Sequence, residues 1–399
     1  MKKILVVGII LLFLCSSIPT LAQPKESIRL LSHTLYVGGS GPGNYTTIQD
    51  AIIAASDGDT VYVYDGTYNE RLIINKSIQL RGESTKTIIE SQLSTIHPNL
   101  ILIEKDYTTI SRFTLMSTDK EHRTALIRCC TSNYHEGVIV TNNLFIGDNN
   151  TGIMICANNS TIANNSFNLQ DWAVGIYAFG QNYSIMNNTF HTQTGISLWE
   201  SNNSIIINNR FSYISEGLVI YSGLRTMIIN NTFTNFTSWA IGLLVSETTS
   251  IISNSIDGGD ARKIIRKEPT GITIDWGARY TKILYNTIKN CMFGIEIREG
   301  YKSNITNNII TQNVYGISLW NSSLTNTSKN TFIYNIVHAR FFNSALFNDK
   351  WDQNYWDRPR VLPKPILGIK LFFMPFPIFE FDWHPAKQPY DIPRDEKNI

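Results

Sequence analysis

The sequence has almost no excess of charge of either sign. In its 399 residues, 34 Lys and Arg face 32 Asp and Glu, which gives a formal charge of +2. This balance argues against a nucleic-acid-binding protein that works through bulk positive charge. Only 17% of the residues are charged and 43% are hydrophobic, so the chain has enough apolar material for a core and does not have the composition of a disordered protein.

Long apolar runs are missing beyond the N-terminus, and cysteine is scarce. The longest later run, residues 366–381, is broken by Lys370, Pro375 and Pro377, so nothing there reaches the roughly 18 apolar residues of a membrane helix. Five cysteines are too few for a disulfide scaffold. The sequence therefore predicts no transmembrane segment and a fold that a hydrophobic core must stabilise.

Residues 1–22 have the pattern of a secretory signal. Lys2 and Lys3 precede an apolar run over residues 4–15, and residues 20–22 form a small-x-small cleavage site. A lipoprotein signal anchored at Cys15 is the alternative, but the preceding Phe13 and Leu14 are too bulky for it. We expect a secreted or cell-surface protein whose mature chain begins near residue 23.

Although charged residues are few, asparagine is abundant, with 39 residues, and many of them recur at regular intervals. A four-residue motif occurs nine times, and its second position is always Asn. The intervals are 21 to 23 residues, except for one of 32. The nine motif asparagines are Asn143, Asn165, Asn188, Asn209, Asn231, Asn254, Asn286, Asn308 and Asn330.

The residues around each motif asparagine predict short strands. An apolar β-branched residue stands three positions before it in eight of the nine copies, Phe or Ile stands two positions after it, and a glycine followed by alternating apolar residues recurs between the copies. Leucine-rich repeats are the rival solenoid, but the core positions here hold Ile, Val and Phe. We therefore predict an all-β parallel β-helix of about eleven coils of about 22 residues, roughly 50 Å long.

Stacked coils place equivalent residues above one another. The motif asparagines should then form a ladder of hydrogen-bonded side chains inside the turn. Asparagine also adopts the left-handed backbone that a sharp turn needs more easily than other non-glycine residues. The same stacking brings Cys130 one coil from Cys156, so a disulfide between them is a candidate.

With this repeat, the chain resembles the right-handed β-helix repeat family, which has the pectin-lyase-like fold, and most closely its NosD-like secreted branch. Residues 45–52, 56–61 and 65–68 are similar to the N-terminal cap of that family, and residues 354–357 to its closing motif. The resemblance implies a right-handed solenoid over 23–350 with regular coils over about 110–345. We expect a capping helix over about 46–56 and an irregular cap over 351–399 that is rich in proline and aromatic residues.

Side chains that point out of the solenoid should also form columns. Four residues after each repeat glycine stand Cys156, Phe179, Trp199, Tyr221, Ser246, Asp275, Arg298 and Trp320. Aromatic rings in such a column are candidates for carbohydrate binding, namely Phe179, Trp199, Tyr221 and Trp320. The alternative is a stack of rings that only stabilises the sheet.

The charged part of this column is the candidate catalytic site. In a glycoside hydrolase acting on an acidic polysaccharide, Asp275 and Glu296 would be the acid and base pair, and Arg298 would hold a uronate. In a polysaccharide lyase of the resembling family, acidic residues would bind calcium beside a basic residue. The alternative is a cross-strand ion pair without catalysis. A lyase of the resembling family would add Ca²⁺. Otherwise no cofactor is expected, and no histidine spacing predicts a metal site, although the NosD-like resemblance implies metal-site assembly as a further alternative.

The sequence thus favours a secreted β-helix protein that binds a polysaccharide or cell-envelope glycan, or that is structural. A polysaccharide-cleaving enzyme is the alternative. A monomer without nucleic-acid partners is expected. Asn-x-Ser/Thr sequons at the outer turn residues make glycosylation a further expectation.

Overall fold

The computed structural model of the protein describes residues 32–91, 98–117, 124–130, 134–259, 268–342, 349–371 and 375–391. From Thr34 onward the chain forms one compact unit, a right-handed parallel β-helix of thirteen coils. The predicted number of about eleven is too low because the first coils, which lack the asparagine motif, are wound in the same way. The predicted signal segment lies outside the described residues.

Three sheets, which we call A, B and C, run along the solenoid. Sheet A holds the strands that precede the asparagine turn: Thr34–Val37, Thr60–Val63, Gln79–Gly82, Thr109–Ser111, Ile139–Thr141, Thr161–Ala163, Ser184–Met186, Ile205–Ile207, Met227–Ile229, Ser250–Ile252, Lys282–Leu284, Asn304–Thr306, Asn326–Ser328 and Lys350–Asp352. Sheet B holds the strands that follow the turn: Gly66–Asn69, Thr87–Ser91, Thr114–Ser117, Leu144–Asp148, Ser166–Gln170, Thr189–His191, Arg210–Ser212, Thr232–Thr234, Ser255–Asp257, Thr287–Lys289, Ile309–Thr311, Thr331–Ile333 and Tyr355–Trp356.

Sheet C completes each coil. Its strands are Leu72–Ile74, Asn99–Ile103, Ala125–Cys129, Thr151–Asn158, Val174–Phe179, Thr194–Trp199, Glu216–Tyr221, Trp239–Leu244, Thr270–Asp275, Phe293–Arg298, Tyr315–Trp320, Val337–Phe342 and Lys364–Leu371. Two further strands are His135–Glu136, which pairs with the end of Thr151–Asn158, and Pro375–Asp382 in the C-terminal cap.

The core is built from columns of identical or similar side chains. Phe145, Phe167, Phe190, Phe211 and Phe233 point inward from sheet B, are at most 1% exposed and stack with ring centroids 4.5 to 4.8 Å apart. Full burial of each such ring stabilises the fold by about 2–3 kcal/mol. Isoleucine columns from sheets A and C fill the rest of the interior.

The repeat glycine allows sheet C to approach these rings closely. A Cβ atom on Gly195 would lie 2.5 Å from the carbonyl oxygen of Gly217 and 2.6 Å from the ring of Phe211. Any larger side chain would therefore separate the two coils.

The motif asparagines form a continuous ladder. The Oδ1 atom of Asn209, for example, accepts hydrogen bonds from both the backbone N and the Nδ2 of Asn188, at 2.9 and 3.0 Å. The same pair of bonds links every neighbouring pair from Asn143 to Asn330. Asn354, which lacks the full repeat, adds one more step.

The left-handed backbone conformation belongs to a different residue from the one expected. The residue before each ladder asparagine has the positive φ, such as Asn164 at 56° and Asn208 at 58°, whereas the ladder residues do not. The reason is that the turn needs its sharp bend before the inward-pointing side chain. In the frequent Asn-Asn pairs, the outer asparagine thus adopts the left-handed backbone conformation, and the inner asparagine makes the hydrogen bonds of the ladder.

A short helix, Ile48–Ala54, covers the first coil. It is shorter than predicted. Thr47 is its N-cap and accepts a hydrogen bond from the Asp50 backbone N at 3.2 Å, and the Glu70 carboxylate accepts bonds from the first two helical N–H groups at 2.9 and 3.0 Å. Ile48, Ala51 and Ile52 are fully buried against the coil.

The C-terminal cap is more regular than expected. Strands Lys364–Leu371 and Pro375–Asp382 form an antiparallel hairpin, which pairs with sheet C through Arg340–Phe342 and with sheet A through Trp351. Only Pro365, Pro375 and Pro377 lie within these two strands, which stand at the end of the solenoid, where strand prolines are tolerated.

The candidate bridge between Cys130 and Cys156 is present as a disulfide. Cys129 and Cys291 are free and buried, and burial raises the pKa of the Cys129 thiol to about 12. No helix in the described part of the chain is long and apolar enough to cross a membrane.

Candidate functional site

The outward column on sheet C is continuous but differs from the predicted column at one position. The strand register places Phe179, Trp199, Tyr221 and Leu244 side by side, followed by Asp275, Arg298, Trp320 and Phe342 on the next coils.

Ser246 was wrongly predicted as a member of this column. In this coil the repeat glycine is shifted by two residues relative to the preceding coil, since Gly242 pairs with Val219 and not with the repeat glycine Gly217. Counting from Gly242 therefore overshoots by two residues. Ser246 is buried in the following turn, where its hydroxyl contacts the carbonyl oxygen of Ile220 at 3.2 Å.

The upper aromatic rings of the column cover one another. The ring centroid of Trp199 lies 4.0 Å from that of Tyr221, at an interplanar angle of 15°, and 6.1 Å from that of Phe179, at an angle of 28°. The indole N–H of Trp199 donates a hydrogen bond to Ser197 Oγ at 3.0 Å. Both faces of Trp199 are therefore occupied by neighbouring rings. A sugar stacks on a ring face, so this part of the column has the geometry of a stabilising stack.

Trp320 is placed differently. Phe342 covers one of its faces, with the ring centroids 4.1 Å apart at 15°, while the neighbouring coil on its other side carries Arg298 and not an aromatic ring. Trp320 is 37% exposed and lines a groove of about 370 Å³ together with Asp275, Trp276, Arg298, Glu299 and Asn321. This groove, which we call the Arg298 groove, combines a partly free ring face with charged side chains.

The three predicted catalytic residues lie together but not on one surface. Arg298 Nη2 lies 3.0 Å from Glu296 Oε2 and 3.1 Å from Oε1, and its Nη1 lies 3.8 Å from Asp275 Oδ2. The side chain of Arg298 is 50% exposed, that of Asp275 16% and that of Glu296 only 4%. Glu296 does not line the groove, so it positions Arg298 from beneath.

Electrostatics and burial oppose each other at Glu296. Burial raises the pKa of its carboxyl group, while the charge and hydrogen bonds of Arg298 act in the opposite direction. A carboxylate that binds a guanidinium from below fixes the orientation of the remaining N–H donors. Arg298 can therefore donate hydrogen bonds to a carboxylate or hydroxyl group of a ligand in the groove.

A second arginine extends the site. Arg340 stacks its guanidinium 3.4 Å from the centre of the Tyr315 ring and donates from Nε to Ser318 Oγ at 3.1 Å. The same hydroxyl accepts the indole N–H of Trp320 at 2.9 Å. Ser318 thus couples the orientation of the ring that borders the groove to that of the second guanidinium.

Some residues of the site escaped the sequence reasoning. Phe342 could have been found by following the column one coil further, because it stands 22 residues after Trp320. Trp276 and Glu299 lie in turns outside the strand column, where the repeat carries no signal for side-chain direction. Among the described residues, no group of three or more His, Cys, Asp or Glu side chains could hold a metal ion.

Comparison with known families agrees with the fold. The family model described as right handed beta helix region matches residues 168–333, and one described as a protein of unknown function, DUF1565, matches residues 36–213. Among curated proteins, none matches this sequence. The narrower NosD-like assignment stays a prediction.

Solved structures of polysaccharide-modifying proteins have the same fold. The A-module of the Azotobacter vinelandii mannuronan C-5 epimerase AlgE4 has 15% sequence identity and a TM-score of 0.59 over 76% of this chain and 93% of its own. A mannuronic acid specific polysaccharide family 6 lyase from human gut microbiota has 14% identity and a TM-score of 0.52 over 81% and 86%. The alginate lyase AlyF-OU02 has 14% identity and a TM-score of 0.57 over 90% and 93%. At these identities the likeness concerns the fold alone, and together with the two family matches it identifies the chain as a right-handed parallel β-helix protein of the pectate-lyase-like fold.

Proposed function

We propose that the protein binds a glycan in the Arg298 groove. The observation that carries this proposal is the pairing of Trp320, which has an aromatic neighbour on only one face, with a half-exposed guanidinium that a buried carboxylate holds in place. Sugar recognition uses two elements, an aromatic face and fixed N–H donors. The aromatic face contacts the C–H groups of the sugar, and the donors bind the oxygen atoms of its hydroxyl or carboxylate groups.

Acidic glycans are the proposed ligand class. Arg298 has donors that can pair with a uronate carboxylate, and Arg340 adds a second positive charge nearby. The named neighbours that act on mannuronan and alginate support this choice by analogy of fold.

Cleavage of the bound glycan is the second candidate function, and Asp275 is the observation that favours it. Its carboxylate lines the groove beside Arg298, where it could take part in proton transfer. Glu296 is too deeply buried to reach a substrate directly, so only Asp275 of the predicted pair lines the groove.

The compartment is part of the proposal. The disulfide between Cys130 and Cys156 favours an oxidising environment, which agrees with the predicted signal over residues 1–22. A glycan of the cell surface or the surroundings would then be accessible to the protein.

The test uses affinity gel electrophoresis with a panel of acidic and neutral polysaccharides, and an assay for new chain ends on the same panel. We expect acidic polysaccharides to retard the protein, and Arg298→Ala and Trp320→Ala each to weaken retention about tenfold. Arg279→Ala is the matched control, because Arg279 is also half exposed and pairs with Glu247 at 3.9 Å but lies in another turn.

New chain ends that disappear in Asp275→Ala would establish the enzyme. Retention without new ends would establish binding alone. If no acidic polysaccharide retards the protein, or if Arg279→Ala weakens retention as much as Arg298→Ala does, the proposal is wrong.

A further inference from the structure

The C-terminal hairpin presents aromatic side chains that the solenoid does not use. Phe379, Phe381 and Trp383 alternate along the strand Pro375–Asp382 and just beyond it, and they are 52%, 38% and 64% exposed. The residues between them, Glu380 and Asp382, are buried. The three rings therefore point to the same side of one strand, on residues whose backbone positions are about 7 Å apart from one to the next.

These rings differ from those on sheet C in that their faces are not covered by one another. Phe381 and Trp383 have centroids 5.2 Å apart but are tilted by 36°, whereas Trp199 and Tyr221 stack at 4.0 Å and 15°. An exposed, tilted ring keeps a face available for the apolar C–H groups of a sugar.

A polar groove runs beside the rings. It has a volume of about 510 Å³ and is lined by Phe379, Phe381 and Trp383 together with Asn326, Asp349, Lys350, Trp351, Asp352, Glu380 and His384. It shares no residue with the Arg298 groove.

Several polar side chains of this groove are held in place. Asp349 Oδ1 accepts a hydrogen bond from the Thr325 backbone N at 2.7 Å, and Glu380 Oε2 accepts one from the Trp351 indole at 2.7 Å. Asp352 Oδ1 lies 2.9 Å from His384 Nδ1. Fixed oxygen acceptors beside aromatic rings are suited to bind the hydroxyl groups of a sugar.

We propose that this cap groove is a second saccharide site, selective for uncharged glycans. The carboxylates of Asp349 and Asp352 outnumber Lys350, the one lysine or arginine among the lining residues, so a uronate would be repelled while hydroxyl donors are accepted. An apolar protein surface or a lipid layer would instead remove water from these carboxylates without supplying new hydrogen bonds, at a cost.

The site does not depend on the Arg298 groove, and the two can be separated by variants. Trp383→Ala should weaken binding to a neutral polysaccharide at least tenfold, and Phe381→Ala should weaken it by a smaller factor. Arg298→Ala should leave neutral binding unchanged. Tyr334→Ala is the matched control, since Tyr334 is 74% exposed and lies outside the groove.

The experiment is affinity gel electrophoresis in gels that contain a β-glucan, a xylan, a mannan, a galactan or soluble chitin, with the full chain and at low and high salt. Thermal unfolding of each variant verifies that the fold is kept. We expect retardation by at least one of these neutral polysaccharides, lost in Trp383→Ala and insensitive to salt because no charge is exchanged.

Three results would overturn the proposal. The first is that none of the neutral polysaccharides retards the protein, and the second is that Trp383→Ala is retarded as strongly as the unchanged protein. The third is that Trp383→Ala abolishes self-association in sedimentation, or binding to phosphatidylcholine vesicles, while neutral glycans are not bound. That result would assign the rings to a second copy or to a lipid surface.

Discussion

Asn354 donates both its backbone N–H and its side-chain N–H to a single carboxylate oxygen of Asp382, at 2.9 and 3.1 Å. In the ladder each asparagine donates hydrogen bonds to the side-chain oxygen of the next. The last asparagine therefore needs an acceptor that has no N–H group of its own to be satisfied. A carboxylate only accepts. The C-terminal hairpin supplies this group and thereby ends the ladder at the last coil.

Replacing that carboxylate should destabilise the C-terminal end of the solenoid. Asp382→Asn puts an NH₂ group against N–H donors, because one oxygen accepts from Asn354 and Trp356 and the other from Gln353. We expect a loss of about 2–3 kcal/mol in the free energy of unfolding, measured by chemical denaturation. Asp391→Asn, at the end of the described chain, is the control. An unchanged stability in Asp382→Asn would contradict the role of Asp382.

The two asparagines of one turn should respond very differently to alanine. Asn209→Ala leaves two N–H groups of Asn188 without an acceptor inside the protein, and we expect a loss of at least about 3 kcal/mol. Asn208→Ala removes an exposed side chain and places alanine at φ 58°, which should cost about 1 kcal/mol. Denaturation with urea measures both. Equal effects would show that the inner amide has no special weight.

Acid should weaken the C-terminal coils through His338. Burial, and then the charge of Lys364, lower the pKa of this imidazole from 6.5 to about 4. The native protein therefore binds fewer protons than the unfolded chain between these values. The contribution of His338 to the free energy of unfolding should therefore fall as the pH drops from about 6.5 to 4, whereas that of Asp349, whose pKa burial raises to about 6, should rise.

The contribution of His338 can be isolated by substitution. After allowance for its partial exposure, we expect it to be about 1–2 kcal/mol, and His338→Gln should remove this part of the pH dependence. The exposed His191, on sheet B, supplies the control His191→Gln. An unchanged pH profile in His338→Gln would exclude the effect.

Glu296 should act on ligand binding through Arg298. Glu296→Gln keeps the shape of the side chain but removes the charge that holds the guanidinium, and we expect about fivefold weaker binding of an acidic oligosaccharide in calorimetry. Glu299→Gln removes the same charge from the groove but leaves the Glu296–Arg298 ion pair in place, and it should not weaken binding. If both variants bind like the unchanged protein, Glu296 does not position the arginine.

Much of the architecture follows from the sequence because the solenoid repeats one local pattern. The 22-residue interval, the β-branched residues and the inward Phe positions specify strand, turn and core without knowledge of distant contacts. The error at Ser246 also comes from the use of the repeat. The column position was found by counting four residues from the repeat glycine, and in this coil the glycine is shifted by two residues. The regular hairpin of the cap was missed because it follows no repeat.

The sequence by itself determined the fold class, the coil length, the asparagine column and the candidate residues of sheet C, since each depends on spacing along the chain. Only the tertiary structure decided which rings cover one another, that Glu296 lies beneath Arg298, and that Asp382 returns from the cap to end the ladder. These relationships depend on side-chain direction and on contacts between coils, and such contacts exist only once the chain has wound upon itself.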